Sequence, residues 1–299
     1  MQRLSSPFLL AFFLLLMAGG FWGLSIAVTK IAVSGGRLSF GLIAWQSAFL
    51  ALFCGIALLV LRRRLQLDKH GYRIAIMVAF IGTLLPNYFS FIAAAKLPAG
   101  VMALMISLIP LLAYPVSLLM RFEKIEGLRM AGLLCGAGAM CALLLPEASL
   151  PDRAMVPFLA VAVMASLFYA CEGNFLTYFK GLTYHPLDLL FVASILTMVL
   201  ASFMALATGQ AFWLAVPPNS EDIALITSSA AHFVAYSGYI YLVAVAGPVF
   251  AAQTAYVSTS SGILWSMLLL SERYSLWIWL AFALMSLGLF LVQPRRQQA

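Results

Sequence analysis

From end to end, the chain alternates between apolar runs of roughly 20 residues and short polar turns. A helix of about 20 apolar residues is what a ~30 Å hydrocarbon layer requires. Ten runs fit: 8–34, 40–61, 72–94, 99–120, 128–145, 155–180, 187–208, 221–244, 248–270 and 276–292. The one longer connection, 146–154, separates a first half (1–145) from a second (155–299).

The halves read as two copies of one design. Residues 104–145 hold an apolar run with Pro110 and Pro115, a charged turn with Glu123, and a glycine-spaced run. From Ala251 the order recurs, with Glu272 in the turn and Gly288 near the end. The two turn acids stand 149 residues apart in a chain of 299, and such a period marks an internal repeat.

With the N-terminus placed in the cytoplasm, twelve basic residues fall inside: Arg3, Arg62, Arg63, Arg64, Lys69, Arg73, Arg121, Lys124, Arg129, Lys180, Arg295 and Arg296. Four fall outside: Arg37, Lys96, Arg153 and Arg273. That bias sets the orientation and puts both termini in the cytoplasm. Five crossings per half invert the second half relative to the first. The expected fold is an all-α membrane protein, ten transmembrane helices arranged as two inverted five-helix repeats around a central cavity. Such repeats place the substrate near the midplane.

A polar side chain in hydrocarbon needs a partner, a wet cavity or a function. Trp22, Ser25 and Thr29 share one helix face of the first span; Thr83, Asn87 and Ser90 share one in the third, with Pro86 and Tyr88 beside them. The fourth carries Ser107, Pro110 and Tyr114; the sixth Ser166, Tyr169 and Glu172; the eighth Ser229, His232, Tyr236 and Tyr239; the ninth Gln253, Tyr256 and Ser260. The candidate cavity lining is therefore Trp22, Asn87, Tyr88, Tyr114, Tyr169, Glu172, His232, Tyr236, Gln253 and Tyr256. Pro86 and Pro110 each remove a backbone donor in mid-span and are candidate hinges.

Each feature has a plainer alternative. Serine and threonine can bond to their own helix, and His232 can bond a neighbouring helix. Lys30 can snorkel or attract carboxylates, and Glu172 can pair with Lys180. Gly132 and Gly136 suit close helix contact, within one chain or between two, so monomer and homodimer both stay open.

Composition narrows the class. Hydrophobic residues make up 64%, charged ones 9%, and the mean hydropathy is +1.03. A soluble domain has about 25% charged residues. The net charge of +7 is scattered among turns, which excludes a nucleic-acid surface. Cys54, Cys135, Cys141 and Cys171 all lie in apolar runs and form no disulfide or metal pattern. No metal or other cofactor is expected, and no P-loop is present. The first run is too long for a signal-peptide core, so it reads as an uncleaved span. An intramembrane serine protease is weakly echoed in Gly23-Leu24-Ser25 with His232, but Ile26 stands where a glycine would follow.

Phe21-Trp22-Gly23, Pro110, Glu123 before a glycine-rich span and Ser271-Glu272 before the last one carry a resemblance. In their order the chain resembles the drug/metabolite transporter superfamily, in its ten-span EamA-type form, over essentially its whole length. It is most similar to the YddG-type aromatic amino-acid exporters. The resemblance implies export of aromatic and other bulky neutral amino acids across a bacterial inner membrane, with lipid and a small-molecule cargo as partners. An aromatic wall suits that cargo, since ring stacking adds roughly 0.5–1.5 kcal/mol beyond area burial. The alternative is a broad exporter of drugs or cations driven by proton exchange, in which Glu172 would be essential. Ser258 to Gly262 departs from the pattern by lacking the proline often found in the ninth span.

Overall fold

The computed structural model describes residues 6–121, 123–144, 150–179, 183–251 and 253–292. Arg3, Lys180, Arg295, Arg296 and residues 146–149 of the expected connection lie outside the described residues. The described chain is helical, with no strand among these residues. Its elements are α1 (Ser6–Ser34), α2 (Ser39–Val60), α3 (Lys69–Met77), a π-helical turn (Val78–Leu84), α4 (Leu85–Lys96), α5 (Ala99–Leu119) and α6 (Gly127–Leu144). A 3₁₀ turn (Arg153–Met155) then leads into α7 (Val156–Tyr178), α8 (Pro186–Ala207), α9 (Ser220–Ala251), α10 (Thr254–Leu270) and α11 (Leu276–Val292). With α3, the π turn and α4 forming one rod, eight helices among the described residues are long and apolar enough to cross a membrane. Two more, α10 and α11, are apolar and 17 residues long.

One expected boundary moves. By its apolar pattern the eighth run ends at 244 and the ninth starts at 248, yet α9 continues to Ala251 and α10 begins at Thr254. No charged residue between 223 and 271 draws the chain toward water, so composition alone leaves the break unmarked.

Three helix pairs run antiparallel. Beside α2 lies α8: Arg63, just past α2, binds Asp188 in the first turn of α8 at 3.2 and 3.1 Å, and at the other end Trp45 Nε1 donates to Phe212 O at 3.0 Å. Alongside α6 runs α11, with Gly132 against Gly288 and Val292, and Gly138 toward Leu284. The third pair is α5 and α10: Ala99 at the start of α5 meets Glu272 beyond the end of α10. Outside these pairs, α1 packs on α9 and α10, as α7 packs on α4 and α5. The Gly132 and Gly136 surface thus packs within the chain, against α11 and Leu111.

Close packing of α1 on α10 rests on small residues and interhelical hydrogen bonds. Ser261 Oγ donates to Gly19 O at 2.9 Å and Trp265 Nε1 to Gly20 O at 3.2 Å. A Cβ at Gly23 would overlap Ser261 and the Gly262 backbone, and one at Gly262 would overlap Ala103.

His185 caps α8, its Nδ1 accepting from Leu187 N at 3.3 Å. Partial burial and then the nearby Arg63 guanidinium hold this imidazole below its ordinary value of 6.5. Only the neutral ring can accept that bond. The unfolded chain takes up the proton first, so the cap's contribution is full above 6.5 and falls away as the pH drops through the folded value.

Two outcomes are expected. Gly23→Leu should destabilise the protein by about 1–3 kcal/mol through overpacking, lowering the melting temperature in detergent. Gly20→Ala, with no atom nearby, should leave it unchanged. In the wild type the melting temperature should fall between pH 7 and pH 5, and His185→Asn, which caps without titrating, should flatten that dependence.

Candidate functional site

Hydrogen bonding in mid-bundle centres on Asn87. Its Nδ2 donates to Gln46 Oε1 of α2 at 3.2 Å, and its Oδ1 accepts from Tyr169 Oη of α7 at 2.7 Å. The π turn just upstream shapes this spot. There the ladder shifts to partners five residues back, as in Leu85 N to Phe80 O, and Thr197 of α8 donates to Ala79 O at 3.2 Å. Turns of this kind cluster at functional sites. Gly82 in the turn faces the Glu172 carboxyl so closely that any Cβ would overlap it. Glu172 lies within electrostatic range of Tyr169 and Tyr236.

From Tyr236 the belt continues through aromatic rings. His232 stacks on Tyr236 with centroids 6.5 Å apart, Trp22 meets His232 edge-on at 6.1 Å, and Tyr239 meets Trp22 at 5.6 Å. Six of the predicted residues (Trp22, Asn87, Tyr169, Glu172, His232 and Tyr236) thus join in one polar and aromatic band, together with Gln46 and Tyr239. The band crosses α1, α2, α4, α7 and α9.

A cavity of about 270 Å³ lies between mid-α5 and the Glu123 turn. Pro110, Tyr114 and Ser117 of α5 line it, with Glu123, Arg129, Asn174 of α7, and Ala255 and Tyr256 of α10. The Tyr256 hydroxyl is buried without a hydrogen-bond partner among the described residues. Asn174 and Arg129 were not singled out from sequence. Asn174 is an amide eight residues after Ser166, on nearly the same helix face, and that spacing was the available signal. A second groove of about 490 Å³, walled by Phe80, Leu196, Val199 and Phe203 among others, holds only apolar side chains and suits lipid.

Several expectations change. Tyr88 stacks on Phe40 at 4.9 Å and packs against the main core, away from the band, because its neighbour Asn87 takes the inward face. Tyr114 offers the cavity only its ring: its hydroxyl donates to Lys124 O at 3.0 Å and accepts from Glu126 N at 2.8 Å, clamping the α5–α6 turn. Gln253 stands at the start of α10, since α9 runs on to Ala251. Pro86 is no isolated mid-span kink; it follows the π turn at the start of α4, where the ladder has already shifted. Pro110 and Pro115 both lie inside α5, which continues through them to Leu119. Lys30 neither snorkels nor waits for cargo. Its Nζ donates to Ala94 O at 2.7 Å and Ala95 O at 3.3 Å, a cation at the end of α4. Ser25 donates to Trp22 O at 2.9 Å in its own helix.

The helices and the central band define a multi-pass helical membrane protein with a polar interior. Residues 9–145 match the EamA-like transporter family, so the first half of the chain carries a domain of that family. A solved structure titled "Crystal structure of protein" is similar over 97% of this chain and 98% of its own, with a TM-score of 0.62 and 18% identity. At that identity the likeness shows the fold alone. No curated protein matches the chain.

The Gly82–Glu172 contact makes a clear expectation. Gly82→Ala should lower the melting temperature, and Glu172→Ala added to it should restore most of the loss. Double-mutant coupling of about 0.5–3 kcal/mol is typical of residues in contact; additive melting shifts would show that the two do not share space.

Proposed function

We propose that this protein exports aromatic and other bulky neutral amino acids, or related metabolites, by alternating access and facilitated diffusion. The observation that carries the reading is the mid-bundle band, in which aromatic faces adjoin neutral amides and phenols. Such groups can stack on a ring and bond a zwitterion without a fixed net charge. Domain identity in the first half supports transport as the activity. Three antiparallel helix pairs, each joining a helix of one half to its counterpart in the other, support ten spans in two inverted repeats. At 17 residues, α10 and α11 reach the lower end of the spanning range. In this reading the protein lies in a bacterial inner membrane, with both termini and the Glu123 turn on the cytoplasmic side.

Glu172 favours a second reading, export of cations in exchange for protons. A carboxyl set against a π turn inside a bundle is a natural cation or proton site.

Proteoliposomes separate the two. With no pH or sodium gradient imposed, the purified protein should exchange labelled phenylalanine or tryptophan saturably. Trp22→Ala should raise KM for aromatic cargo about tenfold, and Glu172→Gln should leave neutral cargo intact. Exchange of organic cations alone, driven only by a pH gradient and lost in Glu172→Gln, would replace the first reading with the second.

A further inference from the structure

The two ends of the α5–α10 pair differ. At one end Glu272 accepts from Ala99 N at 2.8 Å and from Gly100 N at 3.3 Å, closing on the N-terminus of α5. Tyr274 Oη completes the clasp, donating to Glu272, accepting from Gly100 N at 3.1 Å and bonding Ser266 Oγ at 2.5 Å. Gly100 is required there, since a Cβ would overlap the Tyr274 ring. Ser266 beneath the clasp is fully buried.

At the other end stands the repeat counterpart, Glu123. Its carboxylate turns away to Arg129 at 2.8 Å. Between Glu123 and the N-terminal residues of α10, Ala255 and Tyr256, lies the cavity of about 270 Å³. Thr254 is 2% exposed, and its hydroxyl, like that of Tyr256, is buried without a hydrogen-bond partner among the described residues. Ser117, the counterpart of Ser266 at the same 149-residue offset, lines this cavity and is 8% exposed, against none for Ser266. The other ties at the two ends are made in both places: Arg37 to Asp222 at 2.7 Å on one, Tyr184 Oη to Asp68 Oδ1 at 2.6 Å on the other. The asymmetry is therefore concentrated at the turn acids.

We propose that Glu272 and Glu123 are alternating clasps. The structure is the state in which Glu272 holds the start of α5 and the Glu123 end is open. In the opposite state Glu272 lets go, while Glu123 leaves Arg129 and engages the start of α10, with the Tyr256 hydroxyl as an added donor. A carboxylate at a helix N-terminus meets free N–H groups and the positive end of the helix dipole, so each clasp is a closed gate made of one side chain. The proposal rests on the transporter reading, but not on its cargo.

Thiol labelling tests it without any substrate. Ser117→Cys and Ser266→Cys serve as reporters, each in a background where Cys54, Cys135, Cys141 and Cys171 are alanine. In the otherwise wild-type protein the first should react with a water-soluble maleimide several-fold faster than the second. Glu272→Gln should raise the labelling rate at position 266 about tenfold or more and lower that at 117, the cost of losing charge-assisted hydrogen bonds. Glu123→Gln changes a half-exposed turn residue. It should leave 117 reactive and hold 266 unreactive even when phenylalanine or an organic cation is present on both sides. If Glu272→Gln leaves 266 unreactive, or raises both positions together, the clasp is only a structural tie. Labelling of 266 in Glu123→Gln at the rate seen in the wild type with cargo present would equally overturn the exchange. Failure of amino-acid exchange with these labelling shifts intact would instead indict the cargo assignment.

Discussion

Hydrocarbon offers a peptide group no partner, so each backbone N–H and C=O in the bundle must be satisfied from within the protein. Regular helix does this along most of the chain. The exceptions are where this structure becomes specific. Where the ladder shifts in the π turn, a threonine from α8 supplies a donor at Ala79 O. At the end of α4 Lys30 covers the last carbonyls, and at the start of α5 Glu272 covers the first N–H groups. At these three places an irregularity in the backbone has thus drawn a polar side chain to it.

That constraint explains what the sequence revealed and what it hid. Helix positions were legible because charged residues mark the turns: Arg62 to Arg64, Lys69 and the Glu123 turn bracket their helices within a few residues. The α9–α10 break was not, because no charge stands between 223 and 271. Asn87, Tyr169 and His232 were legible as band members because an amide, a phenol or an imidazole in mid-span must face protein or water. Tyr88 failed the same reasoning, since a ring with a polar tip is equally at home stacked on Phe40 in the core. The hydroxyl of Tyr114 was claimed by a turn ten residues away, a contact that helix periodicity cannot register.

Glycine followed a similar division. Gly132 and Gly136 announced a close helix surface, but not which helix they would meet. Gly23 and Gly82 carried no periodic signal, yet each marks a place where something must come near: the α10 backbone in one case, the Glu172 carboxyl in the other. A glycine opposite an acid inside a bundle is a stronger pointer to function than a glycine opposite a leucine, since the acid has its own reason to be solvated.

The band and the cavity are distinct, and their separation bears on mechanism. The cavity reaches from Pro110 to the Glu123 turn, whereas the Asn87 and Trp22 groups stand on α4 and α1, which pack against α7 and α9. Tyr256 and Asn174 line the cavity. Both are neutral hydrogen-bonding groups, and the one cation beside them, Arg129, is held by Glu123 and Glu126. Glu123 and Arg129, the charged residues lining the cavity, therefore offset each other, which suits the neutral cargo proposed above. Glu172 is not among the residues that line the cavity and is wedged on Gly82 instead, so in the proposed reading it bears on cations and not on neutral cargo.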